Sequence, residues 1–279
     1  MTRLMNILFI GDIFGKSGRE LVRRAIPPLV AARAIDLVIA NVENAAAGFG
    51  ITGDIGETIL GYGVDVMTTG NHVWDKKEVL DYMPGQTRLL RPANYPAGVP
   101  GRGSYLARTR SGEPVGVINL MGRVFMTPLD DPFAIAIREA DALRAKTRVI
   151  LVDFHAEATS EKAAMGWHLD GRVTAVIGTH THVQTADERI LPKGTAYLTD
   201  AGMTGPYDSI IGVTVDAALG RFLTAMPAKF EAAGGMARLN AVLVTADPAT
   251  GRAVAIERIN LAAAEVDTLA AGVVEATRI

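Results

Sequence analysis

Cysteine is absent from the chain, which rules out disulfides and thiolate-bound metal and leaves no mark of an oxidising compartment. The expectation is a cytoplasmic protein. Long apolar runs are missing as well, since no stretch approaches the roughly 18 residues of a membrane span. The opening MTRLMNILFIGD breaks at Gly11-Asp12 and reads as a first strand, not a signal peptide. Charge of one sign is also lacking: the net charge of -2 gives no general pull toward polyanions, so bulk nucleic-acid binding is not expected and a nucleotide would have to be held locally. Gly15-Lys16-Ser17-Gly18 is only a fragment of a phosphate loop, and the glycines near Gly116 form no dinucleotide fingerprint. Internal repeats and low-complexity segments are absent too.

What the chain does have is a particular placement of few histidines. Four of the five lie in three strings, Gly70-Asn71-His72, Asp153-Phe154-His155 and Gly178-Thr179-His180-Thr181-His182. Each follows an apolar run that reads as a buried strand, over 64–69, 149–154 and 173–177. Two further strand-like runs, 7–10 and 37–40, lead into Gly11-Asp12 and Asn41-Val42-Glu43-Asn44. In open α/β sheets ligands bind beyond the carboxyl ends of the strands, so these side chains can converge although they are distant in sequence.

Asp12, Glu43, Asn44, Asn71, His155, His180 and His182 then form a set of oxygen and nitrogen ligands large enough for two divalent ions sharing one carboxylate, with His72 left over. Such a set suits iron or manganese, with magnesium or zinc as further candidates, and not a thiolate-bound structural zinc. A shared cation would satisfy several buried imidazoles at once, whereas separately each needs its own hydrogen-bond partner. Taken alone each string is ordinary. Gly-Asn after a strand is most often a turn, and His-x-His at a strand end is as often a polar terminus as a metal site, its two rings sharing a direction if the segment stays extended. His168, on an expected helix, reads as a surface or supporting residue.

The first half alternates strand and helix periods, the pattern of βαβ units. Ser17 to Glu20 resembles a capping box opening a helix, which Pro27-Pro28 should kink or interrupt. Helices are expected over 52–60, 76–82, 132–145 and 161–168. A hairpin is expected from 104–108 and 115–120, strands at 195–198, and a pair at 241–245 and 253–259. One domain over 1–260 is expected, with 261–279 a tail packed on it or frayed.

The order Gly-Asp, carboxylate-Asn, Gly-Asn-His, a lone His after a strand, then Gly-x-His-x-His resembles the calcineurin-like metallophosphoesterase superfamily over residues 5 to 185. Two departures narrow it. Asp12-Ile13-Phe14 stands where that superfamily has Asp-x-His, and Asn41-Val42-Glu43-Asn44 stands where it has Gly-Asp-x-x-Asp. Together with Gly-Asp-Ile-Phe-Gly-Lys, Thr-Gly-Asn-His-Val-Trp-Asp, Asn-Leu-Met-Gly-Arg and Asp-Phe-His-Ala-Glu-Ala-Thr-Ser-Glu-Lys, these departures resemble the YmdB-like bacterial phosphodiesterases along nearly the whole chain.

That resemblance implies an α/β/β/α sandwich with a dinuclear metal site at the strand ends and hydrolysis of 2',3'-cyclic nucleotides by a metal-bridged hydroxide. It makes Glu43 the bridging ligand, puts Asp12, Asn44 and His182 on one metal and Asn71, His155 and His180 on the other, and makes His72 the proton donor. Apart from the resemblance, Met121 to Met126 is a candidate substrate loop, with Arg123 as a phosphate or sugar contact and Phe125 as a stacking face for the base; a turn packed by Met and Phe is at least as good a reading. The implied partner is a small phosphodiester or nucleotide, with room for a homo-oligomer. The rivals are a phosphomonoesterase or protein phosphatase with the same centre, and a metal-containing regulatory protein with incidental activity.

Overall fold

The computed structural model describes residues 3–276. In chain order the elements are β1 (Met5–Ile10), β2 (Asp12–Ile13), α1 (Gly15–Arg33), β3 (Leu37–Asn41), α2 (Gly53–Gly61), β4 (Val66–Thr68), α3 (Val79–Tyr82), β5 (Ser104–Arg108), β6 (Pro114–Met121) and α4 (Pro132–Arg144). There follow β7 (Ile150–His155), α5 (Thr159–His168), β8 (Ala175–Thr179), β9 (Arg189–Ile190), β10 (Ala196–Leu198), β11 (Met203–Pro206), α6 (Val215–Thr224), β12 (Ala237–Ala246), β13 (Ala253–Ala262) and α7 (Ala263–Ala276).

Period-two alternation sorts these strands into layers. Met5, Ile7 and Phe9 of β1 meet Val117, Leu151 and Ile177 of the other sheet in one core. Leu8 and Ile10, on the opposite face of β1, pack under Leu21, Val22, Ile26 and Leu29 of α1. On the far side, Ile150, Val152 and Phe154 of β7 pack on Ala136 and Ala140 of α4 and Met165 of α5. The result is helix, sheet, sheet, helix.

The first sheet runs β2-β11-β12-β1-β3-β4, with β13 beside β12; the second runs β5-β6-β7-β8-β10-β9. Strands β1, β3 and β4 are mutually parallel, as are β6, β7, β8 and β10, so within each set the carboxyl ends face one way. The expected hairpin forms between β5 and β6.

Several expectations need correction. Helix α1 begins at Gly15 behind Phe14 with no side-chain cap, so Ser17 lies inside the helix. It also runs unbroken through Pro27 and Pro28. A proline inside a helix costs about 3 kcal/mol, and here the buried row of Leu21, Val22, Ala25, Ile26 and Leu29 outweighs that. The segment at 76–82 is helical only over Val79–Tyr82, and the strand at 64–69 only over Val66–Thr68. The region after Asn260 completes β13 and forms α7, held to α1 by Arg24, which donates to the Ala263 carbonyl at 3.0 Å and to Asp267 at 2.6 Å. Residues 277–279 of the expected tail lie outside the described residues. Strand β11 and helix α6 are not among the expected elements; their Met203 and Ala218 pack with Phe14 in a small core.

Candidate metal centre

Both sheets deliver side chains to one place. Asp12 follows β1, Glu43 and Asn44 follow β3, Asn71 and His72 follow β4, His155 ends β7, and His180 and His182 follow β8. Asp12, Glu43, Asn44 and His155 are all buried. The turn after β3 is set by Asn41, whose side-chain oxygen accepts from the Glu43 backbone N–H at 3.1 Å.

Around His155 the atoms are crowded in a telling way. Its Nε2 lies 2.8 Å from Asn71 Oδ1, 3.1 Å from Glu43 Oε1 and 3.0 Å from His180 Nδ1. Ligand atoms of Glu43, His155 and His180 all fall within 4.8 Å of one another. One proton on Nε2 cannot satisfy three acceptors. A divalent cation with ligands at about 2.0 to 2.2 Å can, because neighbouring ligands around it sit about 3 Å apart.

A second group adjoins the first. His182 Nε2 is 3.1 Å from Asn44 Nδ2 and 3.9 Å from Asp12 Oδ1. Among the described residues Asp12 Oδ1 is buried without a hydrogen-bond partner. An orphaned carboxylate oxygen in such a place fits a cation. Glu43 links the groups, its Oε1 also accepting from Asn44 Nδ2 at 3.3 Å. The amide nitrogen of Asn44 is the end that faces Glu43 and His182, so for Asn44 to offer oxygen its amide must turn over.

Charge in the centre is strongly coupled. Burial pushes the Asp12 carboxyl up. Burial also raises Glu43, but His155 and its hydrogen bond, with His72 beyond, hold it down at about 2. For His155 burial works downward, yet Glu43, Asp12 and Asp153 lift it to about 9. His180 falls to about 3 through burial and the adjacent His155. Without metal, a proton on His155 offsets part of the buried negative charge.

The His-x-His string does not work by strand alternation. Strand β8 stops at Thr179, and His180 and His182 take φ of +105° and +65°. Such a conformation costs about 1 to 3 kcal/mol for a residue other than glycine, and it turns the two rings into different groups. His180 Nε2 lies 3.0 Å from Glu157 Oε2, while His182 Nδ1 donates to the Ile211 carbonyl at 2.8 Å. Both contacts fix the orientation of the rings.

Two supporting networks escape a reading of the sequence. Asp153 accepts from Asn41 Nδ2 at 3.0 Å, from Thr68, and from Thr179 Oγ1 at 2.7 Å. Thr179 in turn lies 2.9 Å from His155 Nδ1, which leaves Nε2 for a metal. Burial lifts Asp153 to about 7. Below the histidine loop, Lys162 Nζ is 2.6 Å from Asp200 Oδ2, which also accepts from Thr181 N and Oγ1 at 3.0 and 2.9 Å. Lys162 closes the Asp-Phe-His-Ala-Glu-Ala-Thr-Ser-Glu-Lys string, but nothing in that string points to Asp200, 38 residues further on.

His72 stands apart from the ligand cluster. Its backbone N–H donates to Glu43 Oε2 at 3.0 Å, and its Nδ1 lies 2.8 Å from Asp75 Oδ2. The three-residue spacing of His72 and Asp75 is a signal that sequence reasoning missed. Phe14, in the position of the missing superfamily histidine, is buried and meets the His182 ring edge-on at 5.7 Å between centroids. It is packed so closely that a Cβ on Gly48 or Gly212 would come within 2.8 or 2.7 Å of its ring.

Glu43, Asn44, His72, His180 and His182 line a cavity of about 390 Å³. Arg123 and Phe125 are not among its lining residues. Arg123 is paired with Asp131 at 3.3 Å, and Phe125 is 90% exposed. Their loop is held at its backbone, where Glu161 accepts from Arg123 N at 2.9 Å. His168 is exposed, its ring edge-on to Phe133 at 5.4 Å, in keeping with a surface role.

A two-sheet α/β sandwich with this set of carboxylate, amide and imidazole groups is of the metallophosphoesterase class. The model of the YmdB-like protein family matches residues 8–259, and the chain belongs to that family. It is 50% identical over 255 residues to the 2',3'-cyclic-nucleotide 2'-phosphodiesterase of Bacillus subtilis, covering 91% of this chain and 96% of that one. Two crystal structures share the fold. A hypothetical protein from Thermus thermophilus superposes with a TM-score of 0.86 at 46% identity, covering 92% of this chain and 99% of its own. A Mycoplasma pneumoniae protein described as a novel phosphatase gives 0.88 at 34% identity, covering 94% and 95%.

Proposed function

We propose that the chain is a metal-dependent phosphodiesterase acting on 2',3'-cyclic nucleotides. The observation that carries this reading is the place of Glu43, whose Oε1 lies 3.1 Å from His155 Nε2 and 3.3 Å from Asn44 Nδ2 and so stands between the two ligand groups. Asp12, Asn44 and His182 would hold one divalent ion and Asn71, His155 and His180 the other, with Glu43 shared and iron or manganese the metals best suited. The printed activity of the Bacillus subtilis relative supplies the substrate class.

When bound, a pair of such cations neutralises phosphoryl charge and acidifies water. The protein's own residues do the rest. Asp12 and Glu43 fix the negative charge that holds the cations, and the Glu157 and Ile211 contacts keep His180 and His182 oriented. With Nδ1 engaged by Asp75, His72 has Nε2 as the nitrogen that protonates the departing ester oxygen. General-acid help of this kind is worth typically about 10²- to 10⁴-fold.

Steady-state kinetics on 2',3'-cyclic AMP, 3',5'-cyclic AMP and AMP, with elemental analysis of the metal, test the reading. The 2',3'-cyclic ester should have the highest kcat/KM, and two metals per chain should be found. A higher kcat/KM for AMP than for both cyclic forms makes the protein a monoesterase.

A further inference from the structure

We infer that the apolar wall of the metal-centre cavity, built on Phe49, Ile211 and Phe230, is a nucleobase subsite that grips the flat face of the base without reading its edge. The inference rests on the cyclic-nucleotide reading above and adds to it where the base goes and how selective the site is.

The cavity lined by Glu43, His72 and His180 is also lined by Phe14, Phe49, Ile211, Val213 and Phe230. Phe14 and Val213 are buried and belong to a small core, whereas Phe49 and Phe230 are half-buried and Ile211 is 54% exposed. Phe49 is placed next to the proton donor, its ring edge-on to His72 at 5.1 Å between centroids. The turn that presents it is tight: Phe49 N–H donates to the Ala46 carbonyl at 3.3 Å, Gly48 N–H to the Asn44 carbonyl at 3.1 Å, and Ala46 N–H to the Gly50 carbonyl at 2.9 Å. The ring is therefore carried by the segment that carries the ligand Asn44.

Ile211 is odder. A β-branched residue rarely adopts a positive φ, yet Ile211 sits at +48° with its side chain largely in solvent. Its carbonyl receives the His182 Nδ1 hydrogen bond at 2.8 Å, so the strained residue is tied to a metal-ligand candidate. Strain of this sort, held beside a site, points to use. Phe230, on the same wall, is backed by the Arg221 guanidinium 5.1 Å from its ring centroid.

Most of the polar lining belongs to the metal centre or is engaged elsewhere. Glu157 faces His180 at 3.0 Å and Thr181 Oγ1 donates to Asp200 at 2.9 Å, while the other polar lining groups are the ligand candidates and His72. A base held here meets rings and alkyl groups, and every base has such a face. The four bases should accordingly be accepted alike, and an ester with no base should be disfavoured by the strength of one stack, roughly 5- to 150-fold.

The test compares kcat/KM of the metal-loaded full chain on the four 2',3'-cyclic nucleotides and on glycerol cyclic phosphate, which has the ring but no base. Expected are values within about tenfold of one another for the four nucleotides, with a clear advantage over the glycerol ester. Phe49→Ala and the milder Phe49→Leu should collapse that advantage through KM, whereas Phe222→Ala, outside the cavity, should keep it. Equal kcat/KM with and without a base, or an advantage that survives both Phe49 variants, overturns the subsite and leaves the reaction standing. Absence of turnover on every cyclic phosphate overturns both.

Discussion

Lys162 Nζ and Asp200 Oδ2 meet at 2.6 Å with both side chains closed off from solvent, and the same carboxylate oxygen holds Thr181 between the two histidines of the loop after β8. The pair thus underpins the left-handed turn that splits His180 and His182 between the two ligand groups.

Asp200→Asn leaves the Lys162 charge buried without its partner, which should destabilise the protein by about 3 to 5 kcal/mol. Metal affinity should also fall, by about 10- to 100-fold, since loss of an orienting contact commonly does so. Urea unfolding in chelator and a calorimetric metal titration would measure the two effects. Undiminished metal affinity in a folded Asp200→Asn protein would show that the pair does not position the loop.

Metal binding should release protons. In the metal-free chain His155 titrates at about 9 and is charged at pH 7, whereas a ligand imidazole must be neutral. His180, at about 3, has no proton to give there. Affinity should therefore rise with pH up to about 9, by about tenfold per unit from His155 alone. Because its folded pKa is raised, His155 stabilises the metal-free fold fully below about 6.5, and that contribution is lost as pH climbs through about 9. Titration of metal into apoprotein at pH 7 in two buffers of different ionisation enthalpy should give different heats; identical heats would rule the proton out.

His72→Ala should retain metal and lose about 10²- to 10⁴-fold in turnover. The loss should be smaller for p-nitrophenyl esters, whose leaving group needs little protonation. Asp75→Asn should show a lesser loss in the same direction, since it removes the carboxylate facing His72 Nδ1. If His72→Ala strips metal as completely as His180→Ala, then His72 is a ligand instead.

Gly70→Ala should disable the centre although it removes no functional group. A Cβ there would stand 2.1 Å from His155 Cδ2 and 2.4 Å from its Nε2, so the imidazole must move. We expect metal affinity to drop at least about tenfold, in line with displaced ligand orientation. Wild-type affinity with an unmoved His155 in a crystal structure would contradict this.

The strands and the ligand candidates are legible in the sequence because both obey local rules: apolar runs end in polar strings, and parallel topology brings the ends together. The order of Asp12, Glu43, Asn71, His155 and His180 along the chain can be read this way. Other features depend on contacts distant in sequence. Asp153, facing Asn41, Thr68 and Thr179, looks in the sequence like one more carboxylate near a histidine. Pro27 and Pro28 read as breakers because the burial that keeps α1 whole is tertiary. Phe125 looks like a stacking residue from its neighbours alone, whereas Phe49, which lines the cavity, lies in a turn whose strings draw attention only to Glu43 and Asn44.

The ligand candidates are divided between the two sheets, with Asp12, Glu43, Asn44 and Asn71 from the first and His155, His180 and His182 from the second. The layer between these sheets is apolar and its packing is non-directional, so metal bound at its rim would act as a rivet across a seam that side chains such as Phe9 and Leu151 only fill. Loading the centre therefore joins the fates of the two halves. Sliding or parting of one sheet from the other would then have to break coordination, and amide exchange in β1 and β7, strands without a shared backbone ladder, should slow together when metal is added.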